Sequence, residues 1–342
     1  MKINISLYGE HSKRLPFAYK EFKQISTNKF NVINDPLYCD YLFIGYFQDL
    51  KKNFDEIYFI LSKNKNCKLI LLSEEPIWDT LWSEGYQEKY RVLIKDGKRI
   101  NFYFLNHFTS NIYKFNKFPY FITTNNNFFV RYHNFFNRNS LLLKSDIKKL
   151  WNTASIRMAF FNERRIGKKY DCEDPLLGRV GLSNFRSEIA LSITGKGVLR
   201  VGAGWIKSSL PRQKLPDWHL DKLVALDRQC YIVSALENTC APFYITEKIF
   251  DSFAVLGVPI YYKNPSLSFV DSIVDNSFIN LFGLNINDSI NIISDFTPSE
   301  LFLGNYIETQ RNLNNLFNDF DLYHSERIEL VNSIYTEIIS IY

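Results

Sequence analysis

The sequence is poor in the residues that build metal centres and covalent frameworks. Among 342 residues there are two methionines, five histidines and five cysteines. The cysteines (Cys39, Cys67, Cys172, Cys230, Cys240) are odd in number and form no CxxC pair, and the histidines (His11, His107, His133, His219, His324) are scattered. Neither set falls at metal-ligand spacing, so no metal is assigned and a reduced compartment is the simplest setting. No apolar run approaches the roughly 20 residues of a membrane-spanning helix. The opening "MKINISLYGEHSKR" turns polar too soon for a signal peptide or an anchor. A cytoplasmic protein is expected, with at most peripheral contact at the inner face of a membrane. Charge of one sign is also scarce: 41 basic against 36 acidic residues leave +5. That excess does not argue for nucleic acid, but it suits a site that holds one or two phosphates.

Two further absences narrow the function. No segment repeats at a fixed period. There is no Walker lysine motif, and the glycines of "GKGVLRVGAGW" (Gly195, Gly197, Gly202, Gly204) miss the dinucleotide fingerprint, because Lys207 stands where a third glycine belongs. Hydride transfer and P-loop ATP hydrolysis are therefore set aside.

What is present fills two cores. Apolar residues make up 46% of the chain, and the length suits two domains of roughly 150 residues. "KINISLY" (2–8), "YLFIGYF" (41–47) and "CKLILL" (67–72) are short apolar runs followed by polar punctuation. Such runs suit a parallel sheet covered on both faces. Residues 101–140 hold Phe, Tyr and Asn in abundance and no Asp or Glu. They read as the aromatic-packed edge of an α/β domain; four cations (Lys114, Lys117, Arg131, Arg138) are too sparse for a nucleic-acid surface.

After the charged helix-like "SDIKKLW" (145–151) the pattern begins afresh, which puts a domain boundary near residue 152 and predicts domains over 1–152 and 153–342. The second half offers a strand (155–162), a helix (187–193), a strand and glycine turn (197–205), a helix (221–230), a strand (231–238), a helix from Thr246 and a strand (258–262). This alternation predicts two doubly wound α/β domains. The closing "ERIELVNSIYTEIISIY" has apolar side chains at helical spacing and a mostly acidic polar face. It reads as a helix packed on a domain, with a return to the first domain as one option, rather than as a membrane-surface helix.

One stretch carries chemistry. In "ENTCAPFYITEKIFDSFAVLGVPIYY" (237–262), Glu247 and Lys248 sit side by side where a helix should begin. A helix N-terminus offers free N–H groups and a positive dipole end. Lys248 is a misfit there unless an anion such as a pyrophosphate joins it, and Glu247 can accept two hydrogen bonds from a diol such as a ribose. The bland alternative is a surface Glu–Lys pair, worth well under about 1 kcal/mol.

Extended to "ALENTCAPFYITEKIFDSFAVLGVPIYYKNPS", the stretch resembles the donor-binding motif of the α1,3/4-fucosyltransferase family (glycosyltransferase family ten, bacterial type), F-E-N-S-x-x-x-x-Y-x-T-E-K followed by a helix and P-I-Y-W-G. Upstream, "SNFRSEIALSI" and "VLRVGAGW" stand where the family has its Arg-bearing helix and its V-x-x-x-G-x-G turn. The resemblance is strong over roughly 155–282 and weak over 1–150. It implies a GT-B fold, in which two Rossmann-like domains face a central cleft, the second holding a GDP-sugar and the first an acceptor. It implies inverting transfer of fucose without an obligatory metal or other cofactor. By position in the motif, Arg186 and Lys248 fall on the two phosphate-binding cations and Glu247 on the ribose-binding glutamate. Asn238 and Tyr244 fall near the nucleotide, and Glu237 opens the E–N pair.

The family's base is a carboxylate just beyond a strand of the first domain, and "CKLILLSEEPIW" offers Glu74 and Glu75. Register favours Glu74, and two adjacent acids can raise one pKa; the bland reading is a pair of solvated acids before Pro76. "LEN" for Phe-Glu-Asn and Lys263 for the usual glycine depart from the family pattern, and the tandem C-terminal heptads of some bacterial members are absent. The implied acceptor is an oligosaccharide or lipid-linked glycan, such as lipopolysaccharide O-antigen, in an α1,3-type linkage. Two alternatives stay open: a related GDP-6-deoxy sugar (colitose or an amino sugar) as donor, and a non-catalytic sugar-nucleotide or glycan-binding protein.

Overall fold

The computed structural model describes residues 2–205 and 215–341; Lys207 lies outside them. The chain divides into two units, Met1–Asn127 with Asp321–Tyr342, and Phe128–Phe320.

The first unit is built on β1 (Ile3–Tyr8), β2 (Phe30–Val32), β3 (Tyr41–Ile44), β4 (Lys68–Leu72), β5 (Tyr90–Lys95) and β6 (Lys98–Leu105), with helices α1 (Lys20–Ile25), α2 (Phe47–Lys52), α3 (Phe54–Lys63) and α4 (Tyr120–Thr124). The sheet runs β2-β1-β3-β4-β6-β5 and is parallel except for the β5–β6 pair. Asp96 and Gly97, both at positive φ (50° and 72°), close that hairpin in two residues. All four residues of β3 are buried, because each face has its own core. Tyr41 and Phe43 pack with Ile5, Phe17, Phe22 and Leu72. Leu42 and Ile44 pack with Leu50, Phe54, Ile57 and Leu71. Residues 321–342 return to the first of these cores, contributing Leu330, Val331, Ile334 and Ile338.

The second unit holds α5 (Asn126–Asn139), which starts two residues before the division, then α6 (Lys144–Thr153), β7 (Ile156–Phe161), β8 (Glu173–Asp174), β9 (Arg179–Gly181), α7 (Ser183–Ser192), β10 (Val198–Val201), α8 (Trp218–Leu226), β11 (Cys230–Ser234), β12 (Thr239–Cys240), α9 (Glu247–Ala254), β13 (Val258–Tyr261), β14 (Ile279–Asn280), α10 (Ile286–Ser294) and α11 (Glu300–Asn318). The last helix, α12 (Phe320–Ile339), carries the chain back to the first unit. The main sheet runs β10-β7-β11-β13-β14, all parallel. A small separate antiparallel sheet runs β12-β9-β8.

Counted from its own first strand, each parallel sheet reads 2-1-3-4. That is the doubly wound order, and it opens a crevice between the first and third strands at their carboxyl ends. In the first unit this is the end of β1 and β3; in the second, the end of β7 and β11. Each unit has the α/β layout that the GT-B expectation asks of it.

The division falls at residue 127 rather than near 152. The stretch before residue 152, expected in the first domain, holds two helices that belong to the second core. Asn139 donates to the Ala254 carbonyl at 2.8 Å, and the Trp151 indole N–H to the Leu256 carbonyl at 2.8 Å. The aromatics of residues 101–140 are core, with Phe102, Phe104, Tyr113, Phe118, Tyr132 and Phe136 all at 0–1% exposure.

Candidate active site

In the second unit the strand predicted to reach residue 238 ends at Ser234. The four residues after it become the loop that carries Glu237 and Asn238. The first turn of α7 is tied to this loop, since Leu182 N–H donates to the Asn238 carbonyl at 2.7 Å. One helical turn on, Arg186 is buried and its Nη1 donates to the Leu236 carbonyl at 3.2 Å. From the other side Lys248, in the first turn of α9, places its Nζ 2.7 Å from Glu237 Oε2, 2.7 Å from Thr246 Oγ1 and 3.6 Å from Glu247 Oε1. Arg186 and Lys248 thus lean on consecutive residues at the carboxyl end of β11.

The anion that the sequence calls for at the start of α9 is, in this structure, the Glu237 carboxylate. Its Oε1 accepts from the Thr246 N–H at 2.8 Å and from the Thr246 hydroxyl at 2.7 Å. Glu237 is 3% exposed, so this ion pair is largely removed from water. Tyr244 is buried beside Glu237 in a cleft that Tyr261, Tyr262 and Lys263 also line. Lys263 pairs with Asp275 at 2.5 Å. Glu247 is buried, and its carbonyl oxygen lies 3.1 Å from Tyr132 Oη.

Behind α9 lies a charged cluster that the sequence reading missed. Asp251, one turn after Glu247, is 1% exposed. Its Oδ2 meets Lys222 Nζ at 2.8 Å, and its Oδ1 accepts from Tyr132 Oη at 2.6 Å and lies 2.6 Å from His219 Nε2. Arg131 Nη1 is 2.8 Å from His219 Nδ1 and must be the donor there. Nε2 therefore carries the imidazole proton and gives it to Asp251. Burial works against the Asp251 charge, yet the Lys222 ammonium and the His219 hydrogen bond hold its pKa below the ordinary value. Three elements (α5, α8 and α9) meet on this one carboxylate.

In the first unit Glu74 and Glu75 follow β4 at 8% and 7% exposure, not as solvated acids. Glu74 Oε1 is ion-paired with Arg14 Nη2 at 2.5 Å. The Arg14 guanidinium stands 5.2 Å over the Tyr46 ring, on which His11 also stacks at 4.4 Å. Burial and the Glu74 charge push Tyr19 up to about 12. Glu75 turns inward instead, and its Oε1 accepts from Ile77 N–H at 3.2 Å. Beneath them Ser73 Oγ accepts from Glu75 N–H at 3.2 Å and donates to Asp79 Oδ2 at 2.6 Å, which also accepts from Phe47 N–H at 3.0 Å. Burial pushes Asp79 up to about 7 despite those two donors. These groups surround the β1/β3 crevice. At its edge Gly45 has room only for hydrogen: a Cβ would come within 2.7 Å of the His11 carbonyl oxygen.

The chain is similar to solved fucosyltransferase structures. One, titled an α1,3-fucosyltransferase with GDP-fucose, matches at 14% identity and a TM-score of 0.43. A second, titled an α1,3-fucosyltransferase, matches at 15% and 0.46, and a third, with GDP, at 14% and 0.44. Each alignment covers 96% of this chain and 90% of the other. Likeness at this level says nothing about individual residues. No family model and no curated protein matches the chain. Among the described residues no helix is long and apolar enough to cross a membrane, and no group of three His, Cys, Asp or Glu side chains is arranged to hold a metal ion.

The residues that sequence reasoning passed over left faint signals. Asp251 lies four residues after Glu247, the spacing of one helix face, but its partners are the distant Tyr132, His219 and Lys222. Arg14 and Glu74 lie sixty residues apart and meet only because β1, β3 and β4 are neighbours.

Proposed function

We propose that the chain is a glycosyltransferase that moves fucose, or a closely related 6-deoxyhexose, from its GDP ester to a hydroxyl of an oligosaccharide. The observation that carries this reading is the pair of cations, Arg186 and Lys248, anchored on Leu236 and Glu237 at the carboxyl end of β11. Doubly wound sheets bind ligands there. A diphosphate arriving at that point exchanges with the Glu237 carboxylate for Lys248 Nζ and finds the N–H groups of α9 behind it. Arg186 adds a planar donor suited to bidentate phosphate contact.

In the proposed step the acceptor oxygen attacks the anomeric carbon from the face opposite the leaving group. The carbon–oxygen bond to the β-phosphate breaks, its electron pair stays on GDP, and a base takes the hydroxyl proton. The two cations stabilise the extra charge on GDP, the role that a divalent ion fills in other transferases. Glu247 holds the ribose, with Asn238 and Tyr244 beside the nucleotide. Glu74 is the proposed base. Its pair with Arg14 competes with proton uptake, so the acceptor must loosen that contact.

The test is a panel of GDP- and UDP-sugars with release of nucleotide as readout, run with Arg186→Ala and Lys248→Ala variants. The reading predicts turnover with GDP-fucose or a close relative, undiminished by EDTA. It predicts a loss in each variant of roughly 2–4 kcal/mol of transition-state stabilisation. Unchanged kinetics in both variants would overturn it. The ion pair on Glu74 favours one rival, a sugar-nucleotide-binding protein without turnover; tight GDP binding with no transfer to any acceptor would be its signature.

A further inference from the structure

We propose that Trp82, backed by Trp78, is a stacking platform for a pyranose ring of the acceptor glycan, in the segment that follows Glu74 and Glu75. The inference rests on the functional reading above, since it names how the acceptor is held.

Glu75 is followed by Pro76 and then by a π-helical turn, Ile77–Leu81. The turn is closed by Trp82 N–H donating to the Ile77 carbonyl at 3.0 Å and by Ser83 N–H donating to the Thr80 carbonyl at 2.8 Å. Wide turns of this kind are uncommon and recur at functional sites. Here the turn brings the two indoles edge to face, with ring centroids 4.8 Å apart and planes at 63°. Trp78 is half-buried, whereas Trp82 is 41% exposed.

The chain just beyond the exposed indole is held in place. Arg91 donates from Nη1 to Ser83 Oγ at 3.1 Å and from Nη2 to the Glu84 carbonyl at 2.6 Å. Asn106 Nδ2 donates to the Tyr86 carbonyl at 2.9 Å. The residues just after Trp82 are therefore pinned to β5 and to the end of β6. A rigid surface loses little conformational freedom when a ligand settles on it.

Size selects the occupant. Between residues 73 and 89, Trp82 is the one exposed large apolar side chain. One indole face is far smaller than the roughly 800 Å² per partner of a stable protein interface. It matches the apolar C–H face of one pyranose, whose hydroxyl rim then needs polar neighbours. Ser83, next to Trp82, and the Arg91 guanidinium that donates to its hydroxyl supply such groups. An aromatic floor with a few convergent polar groups is the common form of a small-ligand site.

The test is saturation-transfer NMR with lactose and N,N′-diacetylchitobiose as probes, on the wild-type chain and on Trp82→Ala and Trp82→Phe variants. Thermal unfolding is recorded for each. Because Trp82 is partly exposed, both variants should keep the wild-type melting temperature within a few degrees. At least one disaccharide should bind the wild type, with transfer concentrated on the ring C–H protons. Trp82→Ala should weaken that binding at least fivefold, and Trp82→Phe should retain most of it. Binding unchanged in Trp82→Ala, or absent from the wild type for both sugars, would overturn the platform. GDP titration in parallel separates the two claims. Trp82-dependent sugar binding without GDP binding would remove the transferase reading and leave the platform standing. GDP binding without sugar binding would do the reverse.

Discussion

Lys248 is the residue on which sequence and structure bear most directly. Its placement in the first turn of α9 is against the helix dipole, and that anomaly is legible in the sequence. Its partner is not, because Glu237 lies eleven residues upstream and reaches Lys248 only through the loop after β11. Two roles are thereby entangled, and substitution can separate them. Lys248→Ala leaves Glu237 buried without its cation and should lower stability by about 3 kcal/mol, measured by urea unfolding. Replacing both charges, Glu237→Gln with Lys248→Met, should recover most of that stability while GDP affinity stays low. Recovery of GDP affinity in the double variant would show that the cation serves the fold alone.

Asp79 gives a second prediction at this scale. Burial raises its folded pKa to about 7 from an unfolded value of 3.8. Between those values the folded chain holds a proton that the unfolded chain has released, so stability falls as pH rises through this window. Asp79→Asn cannot ionise. Its melting temperature relative to the wild type should therefore climb between pH 5 and pH 8. A pH-independent difference would mean that Asp79 is ionised throughout.

Among the elements, α9 shows how a polar core serves a site. Its apolar pattern and its start are readable, and the helix runs Glu247–Ala254 where one from Thr246 was expected. The Asp251 cluster that fixes its position draws on α5 and α8, whose sequences give no hint of the meeting. Truncating Asp251 to Ala strands Lys222, which is 4% exposed, and should cost about 3–5 kcal/mol; a loss under 1 kcal/mol would show the cluster to be dispensable.

Gly257, just after α9, has a packing reason of its own. A Cβ there would meet Val233 Cγ2 at 2.5 Å, so Gly257→Ala should cost about 1–3 kcal/mol by pushing β13 from β11. Denaturant midpoints of the two chains compare them directly. The β5–β6 hairpin turns on "KDGK", a two-residue turn signal that lies outside the alternation of parallel strands and helices. The small sheet of β8, β9 and β12 left no periodicity to read, being two and three residues per strand.

At the scale of the whole molecule, strand–helix alternation was enough to read two doubly wound sheets, because buried parallel strands such as "YLFI" are apolar on both faces. The boundary was not legible, since α6 is charged along one side and packs with the other: Ile147 and Trp151 are 1% and 5% exposed. The return of the chain end to the first unit rests on an apolar stripe that is visible in sequence without its partner. Removing residues 321–342 strips Leu330, Val331, Ile334 and Ile338 from the first core. Limited proteolysis of that truncation should digest 1–127 rapidly and spare 128–320; equal resistance of both segments would contradict the division.

The central claim is that Arg186 and Lys248 bind the diphosphate of a guanine nucleotide. Calorimetric titration of GDP against GMP tests it most directly, because the two ligands differ by one phosphate. The account predicts that GDP binds at least tenfold tighter than GMP to the wild type, and that this preference disappears in Arg186→Ala and in the Glu237→Gln/Lys248→Met pair. Equal affinities in the wild type, or a preference that survives both substitutions, would contradict it.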